Sequence, residues 1–314
     1  MFESFLLVFK EMSGVLLLIA VGFALNRLNL IPKTAGQTLS RLVTLLFLPA
    51  IQMYVNLMEC RVDSLAENAV LVAFGVATLF VSMGASVLLA RRFAPQDDYA
   101  RGIYRYAFTI PNTGAVGTPL VLGLFGMQGL FQYNLFLFTT VLMTYSWGVI
   151  QLRPKEDQQS LKQTLRGLLN PTFIALLLGI VLGVLGAKEW LPSVAIDTVE
   201  QLSNCYVPIS LLMVGYTVAD FPVARVLREK KAYLYSALRL LIIPCTFLVV
   251  MRLIHAPDIV CMMTVLTYAC PCGMNVVVFP SSYGQDCSSG VSMVIVSSVL
   301  CLITAPIVYA LACL

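Results

Sequence analysis

Charged residues are scarce in this 314-residue chain: they make up 11%, while hydrophobic residues make up 59%. A soluble domain carries roughly a quarter charged residues, so an ordinary soluble fold is excluded. Histidine occurs once, at His255, and no carboxylate falls in the middle of an apolar run. An intramembrane protease or acyl transferase would need a nucleophile with a nearby base, or paired carboxylates. Neither set is present, so an enzyme is not expected. The nine cysteines are odd in number. Cys270-x-Cys272 lacks both the second pair and the histidine of a zinc site. Buried packing is the reading for these thiols, with no metal site and no resident cofactor.

What the chain does have is long apolar runs. About 20 mainly apolar residues cross a hydrocarbon core of about 30 Å. Ten such runs can be drawn, at 5–26, 35–57, 65–90, 101–125, 128–152, 168–187, 192–219, 232–254, 257–282 and 288–312. The run 12–25 is followed by Asn26-Arg27 rather than a small-x-small cleavage site, so it is read as the first span. The expected class is an all-α membrane protein with ten transmembrane helices.

The basic residues fall unevenly between the two sides. One side takes Arg27, Lys33, Arg41, Arg91, Arg92, Arg101, Arg105, Arg153, Lys155, Lys162, Arg166, Arg225, Arg228, Lys230, Lys231 and Arg239; the other takes only Lys10, Arg61, Lys188 and Arg252. Cytoplasmic loops are enriched in Lys and Arg. Both termini are therefore expected outside the inner (cytoplasmic) membrane, with the 153–167 linker in the cytoplasm. The basic loops are topology signals and carry no nucleic-acid site. Arg105 and Arg239, near the starts of segments 4 and 8, are expected to snorkel to the interface.

Four prolines recur at a nearly constant offset of about half the chain: Pro32 with Pro192, Pro49 with Pro208, Pro111 with Pro271, and Pro119 with Pro280. Two five-span units follow, 1–152 and 168–314, joined by the polar linker 153–167. An odd number of crossings per unit makes the second unit inverted relative to the first. Segments 4 and 9 carry the strongest breaks, Pro111-Asn112-Thr113-Gly114 and Pro271-Cys272-Gly273-Met274-Asn275. Proline removes a backbone donor, glycine tolerates irregular backbone, and Asn or Thr caps a new helix start. A simple kink would explain one such segment. Two at equivalent positions predict unwound helices that cross near the midplane. Their N-terminal ends would suit a carboxylate, and their carbonyl ends a cation such as Na⁺. The candidate substrate-binding residues are Pro111, Asn112, Thr113, Gly114, Pro271, Cys272, Gly273 and Asn275.

The strings LLLIAVGFALNRLNLIPK (16–33), LFLPAI (46–51), PNTGAVGTPL (111–120), LNPTFIALLLGIVLGVL (169–185), VPISLLMVGYTVA (207–219) and CPCGMNVVVFPSSYGQD (270–286), in this order, resemble the auxin efflux carrier family of bacterial permeases. That family is related to the plant PIN-FORMED carriers and to the bile-acid symporter-like fold. The resemblance implies a scaffold of segments 1, 2, 6 and 7, a transport domain of segments 3–5 and 8–10, and an elevator-like shift. It implies a homodimer through the scaffold, and Asn112 as the residue that meets a substrate carboxylate. The Asp and Lys that support the site in plant auxin carriers have no counterpart in segment 3, which argues against auxin. Bacterial relatives are associated with small dicarboxylates such as malate and malonate, so a small organic anion is expected, with Na⁺ or H⁺ coupling left open. The alternative is a channel or a transporter-like sensor on the same fold.

Overall fold

In a computed structural model, residues 2–154, 170–221 and 228–314 are described, with side chains from residue 6 onward. Apart from Arg153 and Pro154, the expected linker lies outside the described residues. Among these residues the chain is helical, and one isolated antiparallel bridge, between Pro111 and Cys272, stands where a sheet would.

The main helices are α1 (Phe2–Arg27), α2 (Ala35–Glu59), α3 (Ala69–Phe93), α4 (Asp98–Thr109) and α5 (Thr113–Leu152). They continue with α6 (Pro171–Val184), α7 (Ser193–Ala219), α8 (Lys230–Leu253), α9 (Asp258–Tyr268), α10 (Asn275–Ser282) and α11 (Ser288–Ala312). Seven of them, α1, α2, α3, α5, α7, α8 and α11, are long and apolar enough to cross a membrane. The two runs that carry the strongest breaks each divide into two helices at their prolines. At 40 residues, α5 would be about 60 Å long if unbroken, twice the hydrocarbon thickness. Gly126, at φ 64° and ψ −159°, breaks it into 113–125 and 127–152, a conformation closed to other residues.

Proline also acts inside the long helices. Wide π-type turns occupy Val43–Phe47, Thr113–Gly117 and Leu238–Ile242, each ending two residues before a proline, at Pro49, Pro119 and Pro244. A proline has no N–H to return to the preceding turn, and the helix absorbs the loss by widening. A fourth such turn, Thr144–Gly148, has no proline after it.

The closest helix pairs meet through small residues. A side-chain carbon on Gly22 of α1 would collide with the Leu212 carbonyl of α7, and one on Gly215 of α7 with the Ile19 carbonyl of α1. On the α6–α2 pair, Gly183 lies equally tight against the Asn56 and Cys60 carbonyls. In lipid, where apolar burial gives little drive, such close backbone approach is a main source of helix association. Outside, Leu17, Phe80, Leu88, Val181, Val194, Leu253 and Ile303 are exposed, forming an apolar surface suited to acyl chains.

Gly215→Ala should push α1 and α7 apart and lower the thermal stability of the detergent-solubilised protein by about 1–3 kcal/mol. Gly14→Ala, on α1 with nothing within 4 Å, should leave the melting temperature unchanged or slightly raised. Equal behaviour of the two variants would refute the close-packing account.

Candidate substrate-binding site

Between α4 and α5 the chain is extended at Ile110, with φ −102° and ψ 107°. Between α9 and α10 the residues 269–274 form the matching gap. The two gaps meet back to back. Asn112 N–H donates to the Pro271 carbonyl at 2.9 Å, and the bridge pairs Pro111 with Cys272. Cys272 N–H donates in turn to Ser297 Oγ of α11 at 2.9 Å, and both residues are fully buried.

Behind this crossing two carbonyls at the end of α4 are met by side chains. Ala107 O accepts from Tyr235 Oη at 2.8 Å. Phe108 O accepts from Ser82 Oγ at 3.2 Å and from Arg239 Nη1 at 2.8 Å. The expected snorkelling of Arg239 is therefore corrected: its side chain is wholly buried beside the crossing. It also leaves the set of interfacial charges that define the cytoplasmic face. Arg105 stays near the start of α4, in a 610 Å³ vestibule that Asp97, Asp98, Arg101 and Arg153 also line. His255 is exposed in the α8–α9 loop, at φ 54°.

In front of the crossing the helix starts are left open. Asn112 Oδ1 accepts from Ala115 N–H at 3.2 Å, the helix cap expected of Asn at that position. Asn275 Nδ2 donates to Tyr106 Oη at 2.7 Å, tying the start of α10 to α4. Among the described residues the backbone N–H groups of Gly114 and Asn275, one at each helix start, have no protein acceptor. These two starts border a cavity of about 230 Å³. Of the expected residues, Pro111, Asn112, Thr113, Gly114, Gly273 and Asn275 line it. Cys272 is fully buried and Pro271 lines a separate small apolar cavity, so both serve the crossing through their backbone.

Sequence reasoning missed part of the lining. Gln52 and Thr44 of α2, Asn134 of α5, and Tyr206 and Ser210 of α7 also face the cavity. Gln52 Nε2 donates to Asn134 Oδ1 at 3.4 Å, while Gln52 Oε1 and Asn134 Nδ2 are buried without a partner. The available signal was a lone amide in the middle of an apolar run. Tyr145 of α5 lines the cavity too. Among the described residues, none that lines the cavity is charged.

The cavity lies between two broken helices, and its described lining is mainly apolar with neutral polar side chains set into it. The family model described as "Membrane transport protein" matches residues 7–309. The chain belongs to that family. This agrees with the resemblance to auxin efflux carriers carried by its proline and glycine strings. An uncharacterized transporter of Methanothermobacter thermautotrophicus is 26% identical over 298 residues, covering 94% of this chain and 95% of its own. An uncharacterized transporter of Methanocaldococcus jannaschii is 23% identical over 280 residues, covering 87% and 88%. The chain is thus a multi-pass membrane transport protein and not an enzyme.

In this transporter Ser297→Ala should leave the buried Cys272 N–H unpaired and reduce stability by about 1–3 kcal/mol, read by thermal unfolding. Ser297→Thr, which keeps the hydroxyl, should recover most of the loss. An unchanged melting temperature for Ser297→Ala would mean that Ser297 does not hold the crossing.

Proposed function

We propose that the chain is a secondary carrier for a small organic anion, a mono- or dicarboxylate, in the cytoplasmic membrane. The observation that carries this reading is the pair of open helix starts facing a largely apolar cavity whose described polar side chains are all neutral. Each start offers an unpaired N–H, that of Gly114 or Asn275, and about half a positive charge, the same chemistry that binds carboxylates and phosphates at helix N-termini elsewhere. Asn112 and Thr113 add neutral polar groups around a carboxylate, and the unpaired amide atoms of Gln52 and Asn134 offer contacts to a second polar group. The cavity volume of about 230 Å³ suits a small ligand.

Ten spans arise in this reading when α4 with 113–125 forms the fourth, 127–152 the fifth, and α9 with α10 the ninth. The helix packing supports an inverted repeat. A shift of about 160 residues carries α1 onto α6 and α2 onto α7, and the tight pairs α1–α7 and α6–α2 exchange under it. Helices α1, α2, α6 and α7 would form the scaffold, and α3–α5 with α8–α11 the moving unit. The cavity draws on both, with Gln52 and Tyr206 from one side and 111–114 and 273–275 from the other. That boundary is where an elevator shift would carry the substrate. The exposed apolar residues Leu45, Ile174, Val181 and Val194 give the scaffold a face for a homodimer.

Thermal unfolding of the purified protein against acetate, malonate, malate and succinate tests the substrate class. A ligand that binds only the folded state raises the melting temperature by mass action. At least one acid should stabilise the wild type, and Asn112→Ala should lose that shift while remaining folded. Stabilisation by neutral aromatic ligands and by none of the acids would replace the anion reading. The orientation is tested separately on a background lacking native thiols. Arg61→Cys should react with an impermeant maleimide on intact cells, and Arg92→Cys only after permeabilisation. The reverse pattern would invert the topology.

A further inference from the structure

Arg239 is the largest fully buried side chain among the described residues. Its Nη1 donates to the Phe108 carbonyl at 2.8 Å, next to the carbonyl end of α4. Its guanidinium stands 5.4 Å from the ring centroid of Tyr268, the last residue of α9. Its Nε and Nη2 have no hydrogen-bond partner. Among the described residues the ion pairs are Arg101–Asp98 and Arg252–Asp258, and neither involves Arg239. Helices α3, α5, α8 and α11, which surround it in the moving unit, contain no Asp or Glu. Helices α4 and α9, which touch it through Phe108 and Tyr268, carry theirs at their far first residues, Asp98 and Asp258.

A buried charge without a counter-ion is expensive, so something must balance it. The C-terminal end of α4, which Arg239 meets at the Phe108 carbonyl, carries about −0.5, and the Tyr268 ring adds a cation–π contact. The carbonyl ends of broken helices are also where a transporter of this architecture would seat a coupling Na⁺. One location cannot hold both cations in a medium that screens them so weakly. The repeat has no second copy of the charge: a shift of 160 residues carries Arg239 to Leu79 of α3, and α3 contributes only the neutral Ser82 to the same carbonyl.

We propose that Arg239 is a tethered cation. It fills the position a coupling Na⁺ would need behind the crossing and supplies the positive charge that favours an anion in front of it. Anion binding then requires no Na⁺. This rests on the anion-carrier reading for its second half, whereas the first half concerns the apo-protein alone.

The test is thermal unfolding of the full chain in detergent, with NaCl or choline chloride at equal ionic strength, with and without malonate. Wild type should melt at the same temperature in both salts, and Na⁺-specific stabilisation of wild type would overturn the proposal without any variant. Arg239→Ala should gain roughly 2 °C or more from Na⁺ or low-millimolar guanidinium over choline, because the vacated site can take a free cation. A folded Arg239→Ala that responds to neither would also overturn it. With malonate, Arg239→Gln should bind at least ten-fold more weakly than wild type in choline, whereas Arg239→Lys should keep most of the affinity. Equal malonate affinity for wild type and Arg239→Gln would remove the charge-balancing role. If malonate, malate, succinate and acetate all leave wild type unshifted, the anion-carrier reading fails, while the Na⁺ comparison still decides whether Arg239 stands in for an ion.

Discussion

Interrupting a helix in hydrocarbon frees backbone N–H and C=O groups that no water can meet, each costing several kcal/mol if left unpaired. The contact between Asn112 N–H and the Pro271 carbonyl, at 2.9 Å, is the point at which this chain resolves that problem. Two interruptions, neither tolerable alone, partner each other. Side chains behind the contact then take several of the remaining groups. Tyr235, Ser82 and Arg239 take the α4 carbonyls, and Ser297 takes the Cys272 N–H. The groups in front stay open. Pairing on one side and openness on the other make the crossing a site instead of a defect.

The same economy of charge governs the boundary at which the cavity lies. Helices α1 and α7 are locked by backbone contact at Gly22 and Gly215, and by Asn26, whose Nδ2 donates to Tyr216 O and to Asp220 Oδ1, both at 2.9 Å. By contrast, the Gln52–Asn134 contact across the cavity is long, at 3.4 Å, and leaves one polar atom free on each side. Contacts within the α1–α7 pair are short and steric, whereas this one is neutral and weak. A surface of this kind can separate and re-form without removing an ion pair from a low-dielectric environment.

Much of this was legible in the sequence because proline acts locally and covalently. Pro111 and Pro271 mark the crossing, and the Asn after the first caps the new helix wherever the fold carries it. The breaks and the cap needed no tertiary information. Depth did need it. Arg239 is close enough to the start of its run to look interfacial, yet α8 begins at Lys230. Nine residues at 1.5 Å each carry Arg239 about 14 Å inward, nearly half of a 30 Å core. Gln52 and Asn134 escaped for a different reason. They lie on separate helices 82 residues apart, and nothing in either apolar run says that the two amides converge. Cys272 was read as a binding residue because it stands in the break; burial turns its side chain away and leaves only its backbone to the site.

An uncharged cavity is a reasonable solution for a carrier that must release what it binds. A guanidinium in direct contact with a carboxylate, desolvated at short range, makes a strong bidentate pair that would hold the substrate through every conformation. Helix ends and neutral donors attract an anion with fractional charge and let it leave. In the proposed reading, the buried Arg239 charge behind the crossing would separate these two demands. It would act on an anion through the two broken helices without touching it. The backbone pairing that makes a broken helix tolerable in a membrane also holds that charge one layer away from the site.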